Sequence, residues 1–169
     1  GGIYAEQGRR EEAIKSYERL LREAPQRPST PTVYSQILVL REKTNQPNEV
    51  VSTLSDMNAL FMQDSVWTKA NAADKSLLTE AQEKTESNMH RYGALFHNRG
   101  QKTSNDALLK AAAKIYAMYL ASFPDKEASY EVRYYLAEIF FQFQQWEPAA
   151  DEYLKVSRQK PDGGKFLKD

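Results

Sequence analysis

Glu131 and Glu138 stand seven residues apart, and so do His90 and His97, the chain's two histidines. On a helix each pair lies two turns apart, roughly 10.5 Å along the axis. Paired carboxylates beside aromatic residues could hydrolyse a glycosidic bond, which uses carboxyl separations of about 5–9.5 Å. Two exposed glutamates on a helix are more often simply solvated. The histidines would have to bring their ring nitrogens to about 2 Å from one zinc ion, which their spacing on a regular helix forbids. They read as solvated or core-edge side chains. No phosphate-cradling glycine loop, nucleophile elbow or zinc-helix motif occurs. No catalytic, cofactor-binding or metal-ligating residue, and no cofactor, is expected.

Composition narrows the field further. The 169 residues are 41% hydrophobic and 27% charged, enough for one globular domain with a sizeable core. Twenty-three basic and 23 acidic residues balance, which argues against a broad nucleic-acid surface. Without cysteine there is no disulfide, thiolate chemistry or cysteine metal site, and either redox environment is compatible. No apolar run approaches the ~18 residues of a membrane span, so direct membrane insertion is not expected.

The elements that must position these residues are helical. Glycine is scarce, strand alternation is absent, and apolar residues recur at three and four. Helices are expected near 1–7, 10–24, 31–44, 48–62, 73–98, 104–122, 128–143 and 147–159, with residues 63–72 as the one long loop. Thr30 with Pro31, and Thr103 with Asp106, read as helix starts. Pro25, Pro124 and Pro161 each follow a helical stretch. Short connections favour antiparallel hairpins.

Three of these segments share one spacing. Ala13, Tyr17, Leu20 and Pro25 recur as Ala112, Tyr116, Tyr119 and Pro124, and again as Ala149, Tyr153, Val156 and Pro161. The small residue lets two helices approach, the aromatic one turn later fills the space beside it, and the proline ends the helix. The pattern resembles the tetratricopeptide repeat, a 34-residue helix–turn–helix with an alanine, an aromatic four residues on and a closing proline. The opening "GGIYAEQGRREEAIKSYERLLREAP" is especially similar, with Gly1, Tyr4, Gly8, Ala13, Tyr17 and Pro25 on signature positions. In that register Gly1 falls inside a first helix. Leu136, Ala137 and Phe140 supply the packing positions of the last unit. The middle departs from the pattern: Val50, Leu54 and Met57 take the signature places without a closing proline, and the helix before Thr103 is too long for a regular repeat. The alternative is a generic antiparallel helical bundle.

The resemblance implies an all-α, right-handed α-solenoid of stacked helix hairpins in a single domain, residues 1–169, read as part of a longer protein. Its units run approximately 1–27, 30–63, 73–125 and 128–161. Tyr17, Tyr116 and Tyr153 are expected between paired helices, and uncapped ends would favour self-association. Irregular repeats of this kind look similar to tetratricopeptide proteins of the Gram-negative envelope, a fold-level analogy that favours periplasm or envelope over cytoplasm.

"YEVRYYLAEIFFQFQQW", residues 130–146, carries seven aromatics. On a helix Val132, Leu136, Ile139, Phe140 and Phe143 gather on one arc, a core stripe. Tyr130, Tyr134 and Phe141 gather on a second, with Glu138 beside them; Tyr135 lies on neither and would pack on the preceding repeat. In the family the first helix of each repeat lines a binding groove, and its groove positions fall here on Glu131, Tyr134, Glu138 and Phe141. The second arc is therefore a candidate partner-binding patch of Tyr130, Glu131, Tyr134, Glu138 and Phe141; alternatively a flanking helix covers it. The matching positions of the second unit, Thr32, Ser35, Val39 and Glu42, form a polar strip; the first offers Gly2, Ala5 and Glu6. Neither repeat carries the lysine and asparagine with which some members clamp a peptide carboxylate. Ala81, Thr85, Met89, Tyr92 and Phe96 form a further stripe, either core or partner surface. The function implied is a protein–protein interaction scaffold for a protein or peptide partner. The alternatives are a helical carbohydrate-active enzyme domain using Glu131 or Glu138, and a purely structural spacer.

Overall fold

The computed structural model describes residues 2–160; Gly1, Pro161 and the tail after it lie outside them. The described chain is helical, in order α1 Gly2–Glu23, α2 Thr30–Lys43, α3 Pro47–Phe61, α4 Val66–Ala70, α5 Lys75–Thr103, α6 Asp106–Ser122, α7 Ser129–Gln142 and α8 Trp146–Gln159. It divides into two units, one ending at Asn88 and one beginning at Met89, so α5 contributes residues to both. Within the first unit α1 packs on α2, α2 on α3 and α3 on α4; within the second α6 packs on α7 and α7 on α8. This is the all-helical, adjacent-pair architecture that a tetratricopeptide-like repeat produces.

Hairpin turns give the repeat its clearest signature. Asn45, Ser104 and Gln144 each take a positive φ, between 51° and 59°. In each case the amide of the next residue reaches back five positions: Gln46 to Arg41, Asn105 to Gly100, Gln145 to Phe140. That is the Schellman closure, which satisfies carbonyls the helix end would leave bare. Measured from these turns, Val50 and Ala149 both lie five residues on, whereas Ala112 lies eight beyond Ser104. The third hairpin is thus slipped by about one turn from the register its proline suggests. Its close approach comes from glycine on α5 instead: a Cβ at Gly93 would stand 2.7 Å from Tyr116, and one at Gly100 2.7 Å from Leu109.

Three expectations need correction. First, residues 1–24 do not break near Gly8: α1 is one 22-residue helix. A turn there would give up helical hydrogen bonds, and a first helix of about seven residues buries too little to offset them. The Glu6–Arg10 ion pair at 2.6 Å also spans the glycine. Most of α1 remains accessible, with Ile14 its buried residue and Tyr17 only half-buried. Polar contacts hold it to its neighbour: Glu18 pairs with Arg41, and Gln46 Nε2 donates to Glu11 at 2.6 Å.

Second, the 63–72 segment is not simply a loop. Ser65 and Thr68 form a capping box that starts α4. Trp67 is fully buried, edge-on to Phe61 at 4.8 Å, and its Nε1 donates to the Arg27 carbonyl at 2.8 Å. Third, the starts shift. The Thr30 hydroxyl does not cap α2 but donates to the Pro25 carbonyl at 3.1 Å, with Ser29 as N-cap. Asn105, not Thr103, caps α6, accepting from the Leu108 amide at 3.1 Å, while Thr103 ends α5. The stripe along α5 is core: Ala81, Thr85, Met89, Tyr92 and Phe96 are all buried.

Candidate functional site

The two arcs of α7 separate, though not along the expected line. Val132, Leu136 and Ile139 are buried, joined by Ala137, while Phe140 and Phe143 are half-buried. Tyr130 is a correction: it is only 2% exposed, and the Lys160 ammonium stands 4.5 Å over its ring. It sits in the first turn of α7, beneath the end of α8, and so is not part of an accessible patch. Tyr153 is another, half-buried rather than enclosed between helices; of the three repeat tyrosines only Tyr116 is fully buried.

Tyr134 and Glu138 face α8. The Tyr134 ring lies edge-on to Tyr153 and to Tyr135, both at 6.0 Å. The Tyr153 hydroxyl donates to the Glu138 carboxylate. Burial, this hydrogen bond and the carboxylate's charge push Tyr153 well above the usual phenol range. Glu138 is thereby fixed in orientation by its neighbour across the hairpin. Farther along, Phe141 is 55% exposed and Trp146, which opens α8, is 56% exposed. Their rings meet edge-on at 5.0 Å, forming an aromatic step held open to solvent.

Tyr135 packs on the preceding pair, 5.5 Å from His97 and 6.3 Å from Tyr116. His97 Nδ1 and the Tyr116 hydroxyl lie 3.1 Å apart. Burial lowers the His97 pKa, partly offset by the charge of Glu138, so the ring is neutral near pH 7. Burial likewise raises Tyr116 above the ordinary phenol value. These side chains wall a cleft of about 230 Å³ between α5 and α7, completed by His90, Ala94, Asn98, Glu131 and Val132. Glu131 therefore faces a cleft, whereas Glu138 is engaged with Tyr153. No group of three or more His, Asp or Glu side chains that could hold a metal stands together among the described residues.

The polar strip on α2 is partly covered. The Ser35 hydroxyl receives the Asn88 carboxamide at 3.2 Å, so α5 reaches the strip at this point within the first unit. No helix among the described residues is long and apolar enough to cross a membrane.

Sequence reasoning placed Tyr134, Glu138, Glu131 and Phe141 near one another and Tyr135 against the preceding repeat, read His97 only as a solvated or core-edge side chain, and passed over Trp146. Trp146 was legible as the last aromatic of the 130–146 run. His97 was not, because its neighbours come from three helices.

Among known families, residues 1–27 match the model described as Tetratricopeptide repeat. No curated protein matches the chain.

Proposed function

We propose that this tetratricopeptide-repeat chain is a protein-interaction scaffold, and that its second unit binds an extended peptide segment of a partner along α7. Repeats of this family are typically non-catalytic binding modules, which supports the general role. The observation that carries the particular face is the stripe from Glu131 at the cleft, past Tyr134 and Glu138, to the exposed Phe141–Trp146 step. Aromatic anchors with few rotatable bonds, set beside polar groups already held in place, are what peptide-binding surfaces favour.

A displayed library of random peptides, selected on the whole chain, tests this. The selected peptides should lose about 1–3 kcal/mol of affinity for Tyr134→Ala, Phe141→Ala or Trp146→Ala, the range of interface hot spots. Peptides that bind all three variants as tightly as the parent chain would sink the assignment.

A further inference from the structure

We propose that the open depression formed by the α6–α7 turn, α7 and the end of α8 is a site for one oxyanion, a carboxylate or phosphate group carried by an acidic segment of a protein partner. It lies within the second unit, shares no lining residue with the stripe from Glu131 to Trp146, and stands or falls without that stripe.

Three cations line it. Arg133 comes from α7, and Lys155 and Arg158 come from α8; Pro124, Asp125 and Gln159 complete a depression of about 560 Å³. One carboxylate serves two of the three. Arg133 Nη1 stands 3.5 Å from Glu152 Oε2, and Lys155 Nζ donates to Glu152 Oε1 at 3.1 Å. Both cations keep donors to spare. The Arg133 side chain is only 17% exposed, yet that long contact makes no hydrogen bond, since Glu152 Oε2 is buried without a hydrogen-bond partner. A guanidinium has five N–H donors, and a carboxylate that closed a bidentate pair would occupy two of them. Lys155 is half exposed and has further donors of its own. Arg158, exposed in the last turn of α8, has no ion pair or hydrogen bond among the described residues. The other cations close by do not serve the depression. Lys126 does not line it and is engaged within the protein, and Lys160 stands over the Tyr130 ring.

Charge decides the occupant. Against the three cations stand Glu152, already shared, and Asp125, exposed on the wall and not ion-paired with Arg158. One positive charge remains unbalanced. A single oxyanion answers it, accepting from the planar forks of the arginines and from Lys155 as a point charge. A cationic occupant would add to the excess. An apolar one would strip water from the guanidinium donors without replacing their hydrogen bonds. Asp125 opposes any anion that enters, so its removal has a definite sign.

The test is an NMR titration of the full chain, at low ionic strength, with four blocked peptides, N-acetyl-Ala-X-Ala-amide, where X is glutamate, phosphoserine, glutamine or lysine. Glutamine keeps the shape of glutamate and removes its charge. The glutamate peptide, the phosphoserine peptide or both should shift the Arg158 and Gln159 amides and the Arg133 Nε–H saturably. Glutamine and lysine should bind at least about three-fold more weakly, within the range of one charge contact near the surface. A preference for phosphoserine would identify phosphate as the source, and equal or tighter binding of glutamate a carboxylate. Arg158→Gln should weaken the anionic peptide by a similar factor, and Asp125→Asn should strengthen it. Both residues are exposed, so neither change threatens the fold. Lys75→Gln, in the other unit, removes the same charge and should leave the affinity unchanged. Glutamine binding as tightly as glutamate, no saturable shift with either anion, or equal weakening by Lys75→Gln and Arg158→Gln would overturn the proposal.

Discussion

Gly93 and Tyr116 touch so closely that a Cβ on the glycine would stand 2.7 Å from one carbon of the ring and 2.9 Å from the next. The ring cannot yield easily, being buried and braced by His97 and Tyr135. Gly93→Ala should therefore destabilise the chain by up to about 2 kcal/mol: overpacking costs about 1–3 kcal/mol, and the helix-propensity gain of about 1 offsets part of it. Denaturant unfolding measures it, and a variant as stable as the parent would mean that the helices separate at little cost.

Gly8 provides the opposite case. Nothing lies within 4 Å of a Cβ built there, and the residue is helical. Gly8→Ala should leave stability unchanged or raise it by up to about 1 kcal/mol. A clear loss would mean that Gly8 needs a left-handed conformation, as Asn45 and Gln144 do, and that α1 turns there.

The α4 anchor should be sensitive to one amide. Asn71 Nδ2 donates to the carbonyls of Gln26 at 3.0 Å and Trp67 at 2.9 Å, fastening the loop after α1 to the short helix. Asn71→Ala should cost about 1–3 kcal/mol, because it takes the side-chain donor away from the Gln26 carbonyl, whereas the Trp67 carbonyl keeps the Asn71 backbone amide. Protection of the Trp67 indole N–H from hydrogen exchange should fall with it; unchanged protection would show that the loop is held by other contacts.

On α7 stability and binding should come apart. Ile139→Ala, at a fully buried position, should cost about 2–5 kcal/mol. Phe141→Ala, more than half exposed, should change stability by no more than about 0.5 kcal/mol. Equal loss in the two melts would make Phe141 a core residue and end its candidacy as an anchor.

The pH dependence follows from His97. Burial depresses its folded pKa below 6.5, so the unfolded chain binds the proton more readily. Any contribution to stability is intact above about pH 6.5 and declines as pH falls toward the depressed folded value. His97→Gln should flatten the fall in Tm over that window relative to the parent chain. A parallel fall in both proteins would assign it to other groups.

Helical class, most element positions and the core arc of Val132, Leu136 and Ile139 were set by the sequence itself, because apolar period, prolines and scarce glycine are local signals. So was the separation of Phe141 from Ile139, two residues apart on a helix of known pitch. Periodicity says which residues share a face but not what lies against it. Tyr130 and Phe141 share an arc, yet the end of α8 covers the first and leaves the second open. Likewise the alanine–tyrosine–proline spacing pointed to Ala112 as the contact of the third hairpin, while the turn at Ser104 and the glycines of α5 moved that contact by a turn. Whether α1 bends at Gly8, whether His97 meets Tyr116 and Tyr135, and whether Glu131 faces a cleft depend on neighbours distant in the chain. Only tertiary packing fixes those, since each is a balance between local backbone bonds and surface buried by another helix.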